Sequence, residues 1–266
     1  MEILMKTPTA PVAAVLMDFD GTVSTLRFGW DQVMRAMMLE MIPGGETPDP
    51  ELVEKVDQYL DQSAGIQTIY QMKWLMAQVL EQGKMPNPPQ DPWWYKDQYN
   101  QRLMAQVEGR IQRALAGARE EYLMAGTTDF LAALQARGVP CYVASGTDDQ
   151  DVRREAAALG VTDYFARIAG APARVEGCAK EAALKMLVEQ SGLDGAHIGV
   201  IGDGKVEIAL GRVIGARTLG LASDEAHRRG VDPVKRARLV AAGAQAIAGD
   251  YLELNALLDF LGLEAI

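Results

Sequence analysis

Val12-Ala13-Ala14-Val15-Leu16-Met17-Asp18-Phe19-Asp20-Gly21-Thr22 decides the fold class of this chain, because an apolar run ends in two carboxylates separated by one residue. The six apolar residues before Asp18 have the length and β-branched content of a strand covered on both faces, and Gly21 allows the sharp turn that leaves the sheet. Asp18 and Asp20 are thereby expected at the carboxyl edge of a buried strand. In open α/β sheets the ligand crevice lies just outside those edges. Asp-Gly and Asp-x-Asp also occur in plain turns, so the remainder of the chain has to be read with this stretch.

The chain has 266 residues, 48% of them apolar and 26 glycine, enough to bury a full core in one large or two smaller domains. Its apolar runs are far shorter than the roughly 20 residues of a membrane-spanning helix, and no basic segment followed by a signal-type apolar stretch opens it. A cytoplasmic location, with no membrane partner, is the expectation. Cys141 and Cys178 give no disulfide framework, and Cys141 lies in a strand-like run as a small buried residue. Two histidines, His197 and His227, are too few for zinc clusters, and they leave little room for a serine-histidine pair because His197 begins a buried strand. A net charge of −10 argues against nucleic acid. A phosphate group would need local help from a metal ion and one or two placed cations.

After Thr22 the strand-helix rhythm stops until about Thr127. Trp30, Val33, Met34, Met37 and Met41 recur at helical spacing, and Pro43-Gly44-Gly45 ends that element. Asp49-Pro50 caps a second helix with Leu52, Val53, Val56, Tyr59 and Leu60 on one face. A third helix carries Ile66, Ile69, Tyr70, Trp74 and Ala77 up to Gly83. Asp91-Pro92 caps a fourth, with Leu103, Val107, Ile111 and Leu115 spaced by four. From Thr127 onward helix and strand signals alternate: strands at Val139–Ala144, Tyr164–Ala169, His197–Ile201, Arg217–Leu221 and Ala244–Ile247, with helices between them. That alternation implies a parallel sheet covered on both faces. The expected fold is α/β: a doubly wound, Rossmann-like parallel sheet core from residues 1–26 and 125–266, interrupted after its first strand by an inserted all-α cap domain, residues 27–124.

Partners for Asp18 and Asp20 should then stand at the ends of neighbouring strands. Val139–Ala144 runs into Ser145-Gly146-Thr147, a hydroxyl and backbone amides suited to phosphoryl oxygens at a helix start, although an ordinary strand-to-helix turn has the same look. Lys180 shares a helical face with Ala183, Leu184, Leu187 and Ser191, so it points with the apolar stripe. An ammonium there opposes the helix dipole and makes sense beside carboxylates and phosphate. Ile198-Gly199-Val200-Ile201-Gly202-Asp203 is another buried strand ending in an acid, and Glu207 follows one helical turn later. Hard oxygen ligands around an open cavity suit Mg2+. Gly199 through Lys205 also matches seven positions of a P-loop, but Val206 lacks the required hydroxyl and Gly199 sits inside the apolar run.

In order and spacing, these four elements resemble the motifs of the haloacid dehalogenase superfamily, over residues 10 to 26 and 125 to 266. The resemblance implies Asp18 as nucleophile, Asp20 as general acid and base, Ser145 and the adjoining Gly146 amide as phosphate ligands, Lys180 as the charge-balancing cation, and Asp18, Asp20, Asp203 and Glu207 around Mg2+. Glu207 replaces the aspartate often found at its position. Relatives that are dehalogenases lack an acid at the Asp20 position, and those that cleave carbon-phosphorus bonds usually carry a small residue there. The expected activity is therefore phosphatase action on a small phosphorylated metabolite, with a phosphosugar mutase or a silent partner-binding domain as alternatives. Arg27, Gln67, Tyr70, Gln71 and Lys73 are the insert residues that could reach the cleft.

Overall fold

The computed structural model describes residues 1–5 and 10–263. The last three residues of the expected core segment, 264–266, and residues 6–9 lie outside the described residues. In chain order the elements are β1 (Glu2–Ile3), β2 (Ala14–Met17), α1 (Trp30–Met41), α2 (Pro50–Ser63), α3 (Thr68–Gln82), α4 (Pro92–Arg113), α5 (Thr127–Ala136), β3 (Cys141–Asp148) and α6 (Asp149–Leu159). There follow β4 (Phe165–Ala171), α7 (Ala179–Ser191), β5 (Ile198–Gly202), α8 (Lys205–Val213), β6 (Arg217–Leu221), α9 (Pro233–Ala241), β7 (Ala246–Ala248) and α10 (Leu254–Phe260).

Seven strands form one sheet in the order β1-β7-β6-β5-β2-β3-β4. All neighbours are parallel except β1, a two-residue edge strand that pairs antiparallel with β7 and has no period by which sequence could reveal it. β2 is central, with Val15 opposite both Cys141 of β3 and Gly199 of β5. All four of its residues are buried, as the uninterrupted apolar run requires for a strand covered on two faces. Asp18 and Asp203 therefore leave the sheet side by side, because β2 and β5 are in register up to Met17 and Ile201. Among the described residues no helix is long and apolar enough to cross a membrane.

α1 to α4 lie together in the chain between β2 and α5. The chain leaves and re-enters the sheet region through two antiparallel crossings: Ser24 bridges Leu123, Thr25 N–H donates to Tyr122 O at 2.8 Å, and Met124 N–H donates to Val23 O at 3.1 Å. Asp49 and Asp91 cap α2 and α4, accepting from Leu52 N–H at 2.7 Å and Trp93 N–H at 3.0 Å. The methionines of α1 and Trp94, Tyr95 and Tyr99 of α4 are packing residues, in one apolar cluster continuous with Phe130, Tyr251 and Leu258 beside the sheet.

Four local expectations differ from the structure. The buried face of α3 is Ile69, Met72, Leu75 and Val79, while Tyr70 is exposed, because the helix starts at Thr68 and its phase is set by packing against α4. Leu115 leaves the α4 stripe and is exposed, since a π-turn over Ala114–Ala118, with Gly117 at φ 108°, breaks the 3.6-residue period. β3 continues past Ala144 to Asp148, but four of its residues span two of β4 there, so Ser145-Gly146-Thr147 bulge from the ladder. His197 sits in a 3-10 turn ahead of β5, half exposed beside Asp194.

Candidate active site

At the carboxyl end of β2 the Asp18 side chain turns toward α7. Lys180 Nζ, buried in the first turn of that helix, donates to Asp18 Oδ2 and to Glu207 Oε2, both at 2.8 Å. Lys180 points inward because it is in phase with Leu184 and Leu187, the buried face of α7. Glu207 lies in the first turn of α8, and its other oxygen accepts Gly204 N–H at 2.6 Å. One carboxylate thus closes a helix end and holds the lysine. Gly202 leaves it room: a Cβ at that position would lie 2.2 Å from Glu207 Oε1.

Asp18, Asp203 and Glu207 each offer a carboxylate oxygen, and these oxygens lie within 4.8 Å of one another. Three like charges at that spacing repel. Burial first, and then the neighbouring Glu207 and Asp203, push the Asp18 carboxyl well above the usual carboxylate range against the opposing pull of Lys180. Burial also works against the charge of Lys180, but Asp18 and Glu207 outweigh it and hold the ammonium above its ordinary range. Hard oxygen donors carrying more negative charge than one lysine balances fit a divalent magnesium ion.

Asp203 has its own cation. Lys235, in the first turn of α9, donates to Asp203 Oδ2 at 2.7 Å, to Glu225 Oε1 at 2.6 Å and to Ser223 Oγ at 3.2 Å. Gly21, at φ 72°, lets the chain pass beneath this group, since a Cβ there would lie 2.3 Å from Asp203 Oδ2. Thr22 Oγ1 accepts Asp203 N–H at 3.1 Å, which ties the β2 turn to the β5 turn.

Asp20 stands apart from the three grouped carboxylates. Its Oδ2 accepts from Thr147 Oγ1 at 2.8 Å and Ser145 Oγ at 3.2 Å, and its buried Oδ1 has no hydrogen-bond partner. Ser145 is fully buried behind the bulge, so Gly146 and Thr147 are the members of that turn that line the cavity. The cavity, about 580 Å3, is bounded by Asp18, Asp20, Lys180 and Asp203 below and by residues of α2 to α4 above.

Charged contacts also join Arg27 and α4 to α6 and to the end of β3. Arg27 holds Glu155 of α6 through Nε (2.9 Å) and Nη2 (2.7 Å), reaches Asp151 at 3.3 Å, and lies 3.9 Å from Asp20 Oδ1. Burial pushes the Glu155 carboxyl up to about 7 against the pull of Arg27. Lys96 of α4, buried, donates to Asp148 Oδ1, and Asn100 donates to the other oxygen of that carboxylate at 3.1 Å.

Of the insert residues expected near the cleft, Arg27 and Gln71 line this cavity. Gln67 instead binds Val175 O and Gly177 N–H, Tyr70 is exposed, and Lys73 pairs with Glu176 outside it. Sequence reading missed Thr147, Lys235 and Lys96. Asp232-Pro233 repeats the capping signal of Asp49-Pro50 and would have placed Lys235 in a first helical turn. Lys96 is seven residues before Leu103 on the buried face of α4, the phase argument that selected Lys180. Thr147 stood in the Ser145-Gly146-Thr147 turn, but nothing local marked its hydroxyl as the partner of Asp20.

A doubly wound sheet with acids from two adjacent strand ends, a buried lysine and a roofed cavity defines an α/β protein with its ligand site at the carboxyl ends of the strands. The family described as haloacid dehalogenase-like hydrolase matches over residues 12–215, and the chain belongs to that family. Its fold is similar to that of a predicted phosphoglycolate phosphatase from Haemophilus somnus (14% identity, 94% of this chain and 99% of that one, TM-score 0.61). A β-phosphoglucomutase from Clostridium difficile is similar as well (12%, 94% and 97%, TM-score 0.62). So is a haloacid dehalogenase family hydrolase from Deinococcus radiodurans with bound phosphate and sodium (21%, 97% and 100%, TM-score 0.58). A comparison with curated proteins gives no match.

Proposed function

We propose that this hydrolase is a magnesium-dependent phosphatase that cleaves a small phosphomonoester through an aspartyl-phosphate, with residues 27–124 acting as the cap. The observation that carries the reading is Lys180 bridging Asp18 and Glu207 beside Asp203, at adjacent strand ends under a roofed cavity. Asp18, Asp203 and Glu207 fit as the magnesium-holding set, and the ion when bound supplies charge neutralisation between carboxylate and phosphoryl oxygens. Asp20, also expected among the ligands, has one oxygen committed to Thr147 and Ser145 and is assigned the proton transfer. The free oxygen of Asp18 attacks phosphorus in line and the bond from phosphorus to the alcohol oxygen breaks. Asp20 gives its Oδ1 proton to that oxygen. Asp20 then takes a proton from the water that attacks the phosphorylated Asp18, releasing inorganic phosphate and restoring the Asp18 carboxylate and the protonated Asp20. Gly146 presents its N–H to the phosphoryl oxygens, while the hydroxyls of Thr147 and Ser145 behind it donate to Asp20. The roof excludes bulk water and polymers.

The test is a panel of metabolite monophosphates with Mg2+, read by inorganic phosphate and by chromatography of the organic product. Stoichiometric phosphate and free alcohol are expected. An isomeric phosphate without net release would make the protein a mutase, and no turnover of any member would overturn the enzymatic reading.

A further inference from the structure

The charge balance of the cavity discriminates between classes of substrate. Below the roof, Lys180 holds Asp18 and Glu207, and Lys235 holds Asp203 and Glu225. At the seam, Arg27 holds Glu155 and Lys96 holds Asp148. At the rim, Arg35 is paired with Asp57 at 2.5 Å and Arg238 with Asp61 at 3.6 Å. Among the described residues these six are the basic side chains that line the cavity; five hold a carboxylate by hydrogen bonds, and Arg238, beside Asp61, keeps a buried Nε without a hydrogen-bond partner. Ten acidic side chains line the same space, Asp31 among them with no basic partner.

The phosphoryl group is provided for at the strand ends. A second anionic group farther along the substrate is not. To hold one, the site has to draw a cation away from its own carboxylate or use the Nε of Arg238 beside Asp61, in either case against an excess of acidic over basic side chains. For the buried Lys96 and Arg27 that strands a charge out of water. At the more exposed Arg35 the exchange is cheaper, yet it replaces one carboxylate by another and leaves the acidic excess as it was. Hydroxyl groups meet no such opposition, because carboxylate oxygens at Asp31 and Asp57 and the side-chain amides of Asn100 and Gln71 accept from and donate to them.

Resting on the phosphatase reading, the geometry points to a substrate with one phosphate and a neutral, hydroxyl-bearing alcohol portion: a polyol or sugar monophosphate, neither a phosphorylated carboxylic acid nor a bisphosphate. The test uses the full chain with Mg2+ and substrate pairs that differ in charge, glycerol 3-phosphate against 3-phosphoglycerate and glucose 6-phosphate against 6-phosphogluconate. Each is assayed for phosphate release and as a competitor of p-nitrophenyl phosphate hydrolysis. The neutral member of each pair is expected to give the lower inhibition constant, and where turned over the higher kcat/KM, by about tenfold or more. Equal or tighter binding of the acids, or no competition from the neutral members, overturns the inference. Failure to hydrolyse any compound, p-nitrophenyl phosphate included, overturns the phosphatase reading itself. In Asp57→Asn, which frees Arg35 at the rim, the preference for the neutral member is expected to shrink several-fold through KM; an unchanged ratio overturns the ion-pair explanation.

Discussion

The carboxylates beneath the cavity and those along its seam are held in opposite ways. Beneath it, Asp18, Asp203 and Glu207 converge on one another, with oxygens within 4.8 Å. Along the seam, both oxygens of Glu155 face Arg27, and those of Asp148 face Lys96 and Asn100. Convergence of like charges is a cost that folding alone has no use for, whereas saturation of each carboxylate by donors fastens two parts of a molecule together. The contrast separates the chemistry from the fastening.

The largest expected effect breaks the convergence at its reactive member. Asp18→Asn removes the proposed nucleophile and one of the repelling charges, so phosphate release should fall about a thousandfold or more while the melting temperature stays level or rises. Near-normal release from this variant would remove Asp18 from the chemistry. Lys180→Met goes the other way and leaves the acids buried without their cation. Urea unfolding should show a loss of about 3–5 kcal/mol, partly recovered by added Mg2+ through binding to the native state. Undiminished stability in the absence of metal would show that the convergence costs nothing.

The smallest effect concerns the seam and is a matter of pH. Burial raises the Glu155 carboxyl from 4.5 to about 7 in the folded chain. A group with a raised folded-state value binds its proton more tightly when folded, so its contribution is complete below 4.5 and is lost as pH rises through about 7. Metal-free protein should accordingly lose stability across that window, and Glu155→Gln should flatten the slope without abolishing it, because Asp18 is shifted in the same direction. Thermal melts of the two proteins from pH 4.5 to 7.5 check this, and parallel profiles would place the slope elsewhere.

Legibility in the sequence followed local period. The β2 and β5 runs, the Asp-Pro caps at Asp49 and Asp91 and the inward phase of Lys180 each involve a few neighbouring residues, and they suffice for the sheet, its interruption and the acids at its strand ends. Periodicity failed where tertiary packing sets the phase, as on α3, and where the helix repeat changes, as in the π-turn that turns Leu115 outward. Thr147 was hidden for another reason: only the bulge in β3 turns its hydroxyl toward Asp20.

From sequence alone follow the carboxylates at the ends of two buried strands and the lysine in phase with an apolar stripe, because strand and helix repeats dictate which way neighbouring side chains point. Which acids group together, which cation each one faces and that acids outnumber bases around the cavity were decided only by tertiary structure. Those relations join residues as far apart as Asp18 and Lys180, or Arg27 and Glu155, and the direction of an ion pair across such separations is set by the packing of the sheet and its helices rather than by any local period.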